Sequence, residues 1–326
     1  MSDNPQLRPR YTGLPSFFRL PYIEEPEALA PEARPEIGII GVPYDGGVTN
    51  RPGTRHGPRE VRNQSSLIRR VNAATGVGPF DARRVADIGD TWVERPFALE
   101  GAHDEIRKDF ARIHGAGIRP LSVGGDHSMT LPILRAVAAE RPLALVQIDA
   151  HADTGDNYLG SRFHHGAPFK IATDEGLILP QKTVQIGIRG SVATPDFWAF
   201  SAASGMRVIP IEEVEARGWQ AVMDEALAIV GDAPAYVSFD IDALDPSVAP
   251  GTGTPVCGGL STWQAREIIR RLGTAGGTPV NVVGMDVVEV SPPYDHAEIT
   301  ALAGATIALA LVCLYAEGAS ARGAAA

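Results

Sequence analysis

Basic residues are scarce in this sequence. Among 326 residues there are 29 Lys and Arg against 39 Asp and Glu, a formal net charge of −10. Lysine occurs only as Lys108, Lys170 and Lys182, and the arginines form no stripe. Nucleic acid and anionic membranes are therefore not expected partners. Cysteine is scarcer still: Cys257 and Cys313 are the only two, without metal-ligand or redox spacing. A disulfide scaffold is excluded, and a reducing, cytoplasmic location is expected. Neither GxGxxG nor GK[ST] occurs, which removes the common nucleotide-binding loops. The opening MSDNPQLRPRY lacks the apolar core of a signal peptide. The most apolar run, Ile299 to Ala316, is barely long enough to span a bilayer and contains Thr300, Gly304 and Thr306. It is expected to be a buried C-terminal helix.

The chain has ample material for a large core, with 44% hydrophobic residues. Residues 1–35, rich in Pro and Glu, read as an irregular arm. Residues 36–318 read as one catalytic domain and 319–326 as a flexible tail. Within the domain, strands are expected at 36–43, 84–88, 119–123, 143–148, 183–188, 207–210, 235–241 and 279–290. Helices are expected at 60–70, 99–114, 131–139, 196–204, 219–230, 262–272 and from Ile299 onward. Strand–helix alternation of this kind implies a mostly parallel sheet covered on both faces, a three-layer α/β/α architecture. The segment 44–59, with four glycines and two prolines, reads as a shaped loop.

The organising stretch is Leu143 to Asp153, LALVQIDAHAD. An apolar run reads as a buried strand and ends in Asp149, His151 and Asp153. In extended backbone, alternate side chains point to one side, so the three can converge on one point beyond the strand end. Alone, the stretch reads equally as a solvated turn. Two further strand ends carry similar residues: Gly124, Gly125, Asp126 and His127 end one, and Asp240 and Asp242 another. Parallel strands bring these ends to one edge of the sheet, where open α/β folds place their chemistry. So many carboxylates in one crevice repel each other unless cations intervene. A His/carboxylate set without cysteine suits Mn²⁺, Zn²⁺, Fe²⁺ or Ni²⁺, and six ligand groups suit two ions that share carboxylates.

The segments GGDHS (124–128), DAHAD (149–153) and SFDIDALDPSVAPGTGTP (238–255) resemble the three signature segments of the ureohydrolases, the arginase and agmatinase family, and the likeness runs from about Arg10 to Ala316. The resemblance implies an arginase-like α/β/α fold and hydrolysis of a guanidino group to urea and an amine. It implies two Mn²⁺ per subunit, with Ni²⁺ or another divalent ion as alternatives. His127, Asp149, Asp153 and Asp240 match the ligands of one ion, and His151, Asp149, Asp240 and Asp242 those of the other. His165 matches a proton-carrying histidine and Glu289 the carboxylate that holds the guanidinium. Asp126 or His165 is expected to protonate the leaving amine. Asp245 matches no ligand and is expected to fix its loop.

Four segments, TGLPSFFRLP (12–21), residues 41–63, PFDARRVADIGD (79–90) and QIGIRGSV (185–192), are most similar to guanidinopropionases and guanidinobutyrases, and also to proclavaminate amidinohydrolase. Loop 155–166 is expected to meet the distal part of the substrate. Tyr158 would shorten the pocket toward 3-guanidinopropionate. Many relatives carry Asn where this chain has Gly155; Asn157 is the candidate to replace its contact with a substrate carboxylate. Asp156 beside it favours a cationic far end and keeps agmatine open, along with 4-guanidinobutyrate and free guanidine. Formiminoglutamate hydrolysis and a non-catalytic metal-binding role are the rival functions. The partner is a small guanidino compound, and a homo-oligomer, hexamer or trimer, is implied by resemblance alone.

Overall fold

The apolar runs become eight strands of one wholly parallel sheet. A computed structural model describes residues 9–323. The first half runs β1 (Ile37–Val42), α1 (Gly57–Ser65), α2 (Pro79–Ala82), β2 (Val85–Asp90), α3 (Leu99–Gly115), β3 (Arg119–Gly124), α4 (Thr130–Val137) and β4 (Leu143–Ile148). It continues with α5 (Pro168–Asp174), β5 (Ile178–Ile188), α6 (Ala199–Ser204), β6 (Arg207–Pro210), α7 (Ile211–Arg217) and α8 (Trp219–Val230). Then follow β7 (Pro234–Asp240), α9 (Thr262–Arg271), β8 (Asn281–Val288) and α10 (Ile299–Gly323).

The strand order is β2-β1-β3-β8-β7-β4-β5-β6. Period-two alternation divides each strand between two cores. Ile39, Val146 and Val237 pack on one face with α8, α9 and α10; Ile40, Leu145 and Tyr236 pack on the other with α3, α4 and α5. This is the three-layer α/β/α fold expected. Because β8 and β7 insert between β3 and β4, consecutive strands separate there. The carboxyl ends of these four central strands frame the crevice of such a switch point.

The N-terminal arm is a series of short 3₁₀ turns, at Phe17–Arg19, Pro26–Ala28 and Pro31–Ala33. It folds back on its own chain. Phe17 and Phe18 are buried, and the Phe17 N–H donates to Asp87 Oδ2 at 2.9 Å. Arg62 lies over the Phe17 ring at 4.2 Å and pairs with Asp87 at 2.9 Å and Asp90 at 2.6 Å. The Ile23 N–H donates to the Asp87 carbonyl. The arm thus covers β2, which would otherwise be an open sheet edge.

Three helices escaped the sequence expectation; the shortest, α2, spans only the four residues Pro79–Ala82. Helix α5 starts with Pro168 at its first turn, and α7 buries only Ile211 and Val214, too few positions to show a period. Helix α1 stops at Ser65 rather than Arg70, where the Ser65 hydroxyl donates to the Arg62 carbonyl and accepts the Phe18 N–H. Strand β5 begins at Ile178 rather than Thr183. Helix α10 has the length and composition to cross a membrane, yet 72% of its apolar window is buried inside the protein. It packs against α1, α9 and β8, as a core helix does. It continues to Gly323, into the stretch expected as a tail; residues 324–326 lie outside those described.

Candidate active site

Four strand ends supply the polar residues. His127 opens a 3₁₀ turn after β3, Asp149 follows β4, Asp240 ends β7 with Asp242 in the turn beyond, and Glu289 follows β8. The register pairs Ile148 with Phe239 and Asp240 with Val288, so these ends are level. Two residues adopt left-handed backbone here, Asp153 at φ 50° and Glu289 at φ 65°. Non-glycine residues rarely do so, and such strain concentrates at functional sites.

The residues form two adjoining clusters. In the first, His127 Nδ1 lies 2.8 Å from Asp153 Oδ2, 3.2 Å from Asp149 Oδ2 and 3.2 Å from Asp240 Oδ2. In the second, His151 Nδ1 lies 3.1 Å from Asp242 Oδ2 and 3.7 Å from Asp149 Oδ1. Asp149 belongs to both. The groups His127–Asp149–Asp153 and Asp149–His151–Asp242 each converge within 4.8 Å, close enough to hold a metal ion. The expectation that Asp149, His151 and Asp153 converge on one point through extended backbone needs correction. The chain leaves the strand at Ile148 and turns through left-handed Asp153. His151 and Asp153 therefore fall in different clusters, joined by Asp149.

The donor set fits cations on two independent grounds. His127 Nε2 lies 2.8 Å from Ser238 Oγ, whose hydroxyl donates to Asp286 Oδ1 at 2.7 Å. Asp286 Oδ2 also accepts from Thr130 and Tyr236. Because the Ser238 proton is committed to Asp286, Ser238 accepts the Nε2 proton. That leaves the lone pair of Nδ1 facing three carboxylates; this buried nitrogen has no hydrogen-bond partner. The electrostatics agree. Burial, then the charges of Asp153 and Asp242, pushes the Asp149 carboxyl up to about 7. Burial with Asp242 and Asp149 pushes Asp240 well above the carboxylate range. Burial opposes a charge on His151, but Asp242, Asp149 and Asp153 override it and raise the imidazole to about 10. His127 is raised likewise by Asp149, Asp153 and Asp240 against its burial. Asp242 alone is lowered, by His151 against burial. A site that takes up protons this readily is short of positive charge.

Glutamines clamp the shared carboxylate. Gln147, two residues before Asp149 on the same strand face, donates to Asp149 Oδ2 at 2.7 Å and to the His151 carbonyl. Gln185 on the neighbouring strand holds Gln147 and the Ala152 carbonyl. Gln147, Gln185, Ser238 and Asp286 were not anticipated. Their signal was present: polar side chains inside otherwise apolar, buried strands.

Beside the clusters, Glu289 Oε1 accepts the His127 backbone N–H at 2.8 Å and lies 2.9 Å from His165 Nδ1. Oε2 is buried and unpartnered. His165 is raised to about 9 because Glu289, with Asp126 and Asp153, overrides its burial. Its Nε2 lies 2.7 Å from the Thr49 hydroxyl and accepts the Thr49 N–H at 3.2 Å. Asp126 is placed differently from a free proton donor: its oxygens accept the backbone N–H groups of Gly47 at 2.7 Å and Ser128 at 2.8 Å. Burial and Glu289 push its carboxyl up to about 6. It anchors the 44–59 loop to the turn that carries His127. Asp245 accepts from the Ser247, Gly258 and Gly259 N–H groups, the loop-fixing placement expected.

A cavity of about 330 Å³ opens over the clusters, walled by Thr49, His151, Asp153, Asp156, Asn157, Tyr158, His164, His165, Phe197 and Thr254 among others. Among the described residues, no lysine or arginine lines it. Asn157 Oδ1 accepts the Gly160 N–H at 2.9 Å, which leaves the Asn157 amide NH₂ uncommitted by that bond.

The family model described as "Arginase family" matches residues 35–313. Guanidinopropionase of Pseudomonas aeruginosa is 51% identical over 313 residues, 96% of this chain and 95% of that one. Guanidinobutyrase of the same organism is 44% identical, covering 94% and 93%. The solved structure of proclavaminate amidino hydrolase from Streptomyces clavuligerus superposes with a TM-score of 0.89 at 40% identity, over 95% of this chain and 100% of that one. On fold, strand-end chemistry and sequence alike, this chain belongs to the arginase family.

Proposed function

We propose that this protein hydrolyses a linear guanidino compound to urea and an amine, with 3-guanidinopropionate as its preferred substrate and two Mn²⁺ as its ions. The carrying observation is Glu289 Oε2, a buried carboxylate oxygen without a partner beside two convergent His/Asp groups. A planar guanidinium presents paired N–H donors that suit such a carboxylate through charge-assisted bonds. His127, Asp149, Asp153 and Asp240 would hold one ion, and His151, Asp149, Asp240 and Asp242 the other. When bound, two divalent cations supply Lewis acidity and make water acidic enough to act as a nucleophile near neutral pH.

The chain's own residues do the rest. Glu289 orients the guanidinium so that its carbon faces the clusters. Water adds to that carbon, the bond to the substituted nitrogen breaks, and urea and an amine separate. His165 stands between Glu289 and Thr49, placed to deliver a proton to the departing amine. Asp126, with its carboxylate engaged by two backbone N–H groups, is left out of this role.

For the substrate's far end, Asn157 and Tyr158 line the cavity, and an amide donor beside an aromatic ring suits a short acid. The guanidinopropionase relative supports that choice. A second reading has its own observation: Asp156, in a wall without lysine or arginine among the described residues, suits the cationic end of agmatine. A urea-release panel on the Mn²⁺-loaded protein tests both. It includes 3-guanidinopropionate, 4-guanidinobutyrate, agmatine, arginine and guanidine. The highest kcat/KM is expected for 3-guanidinopropionate; a clear preference for agmatine overturns the substrate and leaves the reaction standing. The acidic, cysteine-poor composition fits a cytoplasmic enzyme. Trp92 and Phe97, 80% and 97% exposed, offer aromatic surface for a homo-oligomer.

A further inference from the structure

The wall of the cavity that selects the substrate is a narrow hairpin, and one imidazole ties it shut. At the base, the Gly155 N–H donates to the Gly166 carbonyl at 2.8 Å. At the tip, Tyr158 and Ser161 exchange backbone hydrogen bonds across Leu159 and Gly160, both left-handed, at φ 49° and 90°. Between base and tip stands His164. Its Nε2 lies 2.7 Å from the Asp156 carbonyl, and its Nδ1 accepts the Gly166 N–H at 3.2 Å. A carbonyl can only accept, so Nε2 carries the proton, and a nitrogen that accepts an N–H cannot also be protonated. Both ring nitrogens of a neutral imidazole are thus committed to backbone, one to each arm. The ring also packs on Tyr158, with centroids 5.7 Å apart.

The glycine at the base belongs to the same device. A Cβ at residue 155 would stand 2.8 Å from the Gly166 carbonyl oxygen and 3.4 Å from His164 Cε1. The first distance is closer than real side chains allow. The two arms can approach this closely only because residue 155 is glycine, and the approach sets His164 within reach of Asp156.

We propose that His164 is a positioning residue for specificity: by tying Asp156 to Gly166 it holds Asp156, Asn157 and Tyr158 against the substrate's far end. The inference rests on the reading that this cavity takes a guanidino substrate. It adds which residue fixes the wall that measures the substrate's length. His164 touches neither cluster, so its effect should fall on KM and on discrimination between substrates, with little effect on kcat. Glutamine can place an amide donor near the position of Nε2 and should restore much of the tie to Asp156.

The test compares wild type, His164→Ala and His164→Gln, each Mn²⁺-loaded, with 3-guanidinopropionate, 4-guanidinobutyrate and agmatine. Metal content per chain is measured alongside. For H164A the expectation is a KM for the preferred substrate raised about tenfold and a narrowed kcat/KM ratio between the two acids. Its kcat should stay within about threefold and its metal content should be unchanged. H164Q should recover at least half of the lost discrimination. Unchanged KM and ratio in H164A overturn the proposal. So does a loss of kcat and metal together, since that would mark a purely structural role. If wild type prefers agmatine, the acid reading fails on its own, and the His164 effect is then read on the agmatine KM.

Discussion

Glu289 Oε1 lies 2.9 Å from Nδ1 of His165, while the second oxygen of the same buried carboxylate has no partner. One half of Glu289 is built into the protein and the other half is left for something else. Buried acceptors are nearly always satisfied, so an orphan at this position points to a ligand with donors. Glu289→Gln keeps the shape and removes the charge. It turns charge-assisted bonds into neutral ones, at about 1.5–3 kcal/mol. The expected outcome is a kcat/KM lower by roughly ten- to a hundredfold, with metal content retained, as read by urea release and elemental analysis of the purified protein.

Thr49 is the other neighbour of His165, at 2.7 Å from Nε2. A hydroxyl can donate to the neutral ring and accept from the protonated one, so it serves both states of a proton carrier. Thr49→Val preserves the side-chain shape and leaves Nε2 with only the backbone N–H. Loss of one partner at a buried polar group costs about 1–3 kcal/mol. We expect kcat to fall roughly five- to a hundredfold, with Thr49→Ser close to wild type. Steady-state kinetics on the three proteins decide it; equal kcat for Thr49→Val and wild type would remove Thr49 from the proton path.

The cluster makes the metal-free protein pH-sensitive in a predictable direction. Asp149, Asp240, His127, His151 and His165 all have raised pKa values in the folded chain, with Asp149 at about 7, His165 at about 9 and His151 at about 10. A raised folded-state pKa contributes stability below the unfolded value and loses it as pH rises through the folded value. Asp242, lowered by His151, has the opposite sign, but its loss falls below the ordinary carboxylate range. Metal-free protein should therefore lose stability from about pH 5 to 9. Cations replace the missing protons, so added Mn²⁺ should raise Tm more at pH 8 than at pH 5.5. Thermal melts with EDTA and with Mn²⁺ at both pH values check this; an equal Mn²⁺ shift would contradict it.

Much of the site was legible because its ligands are contiguous. DAHAD places three of them within five residues of a strand end, and the parallel sheet does the rest. Which ligand joins which cluster was not legible from periodicity. It depends on the left-handed turn at Asp153, which the alternation of an extended strand cannot foretell. Thr49 lies 116 residues before His165 and is an ordinary residue in a glycine-rich loop; only the folded chain brings them together. His164 adjoins His165 in the sequence, and its role depends on backbone that approaches closely at Gly155. Asp286 was more accessible, since a carboxylate within GMDVVEV contradicts the apolar strand around it. In the fold, long periodic helices were read to within a few residues, while α2, α5 and α7 were missed as short elements with few buried positions.

The central claim is that Asp149 joins two metal positions into one hydrolytic centre. The direct measurement is metal content per chain together with urea release, for wild type and Asp149→Ala after loading with Mn²⁺ and desalting. Two ions and turnover are expected for wild type. Fewer than one retained ion and no measurable turnover are expected for the variant, with an intact fold by circular dichroism. An Asp149→Ala protein that keeps two ions and full activity would contradict it.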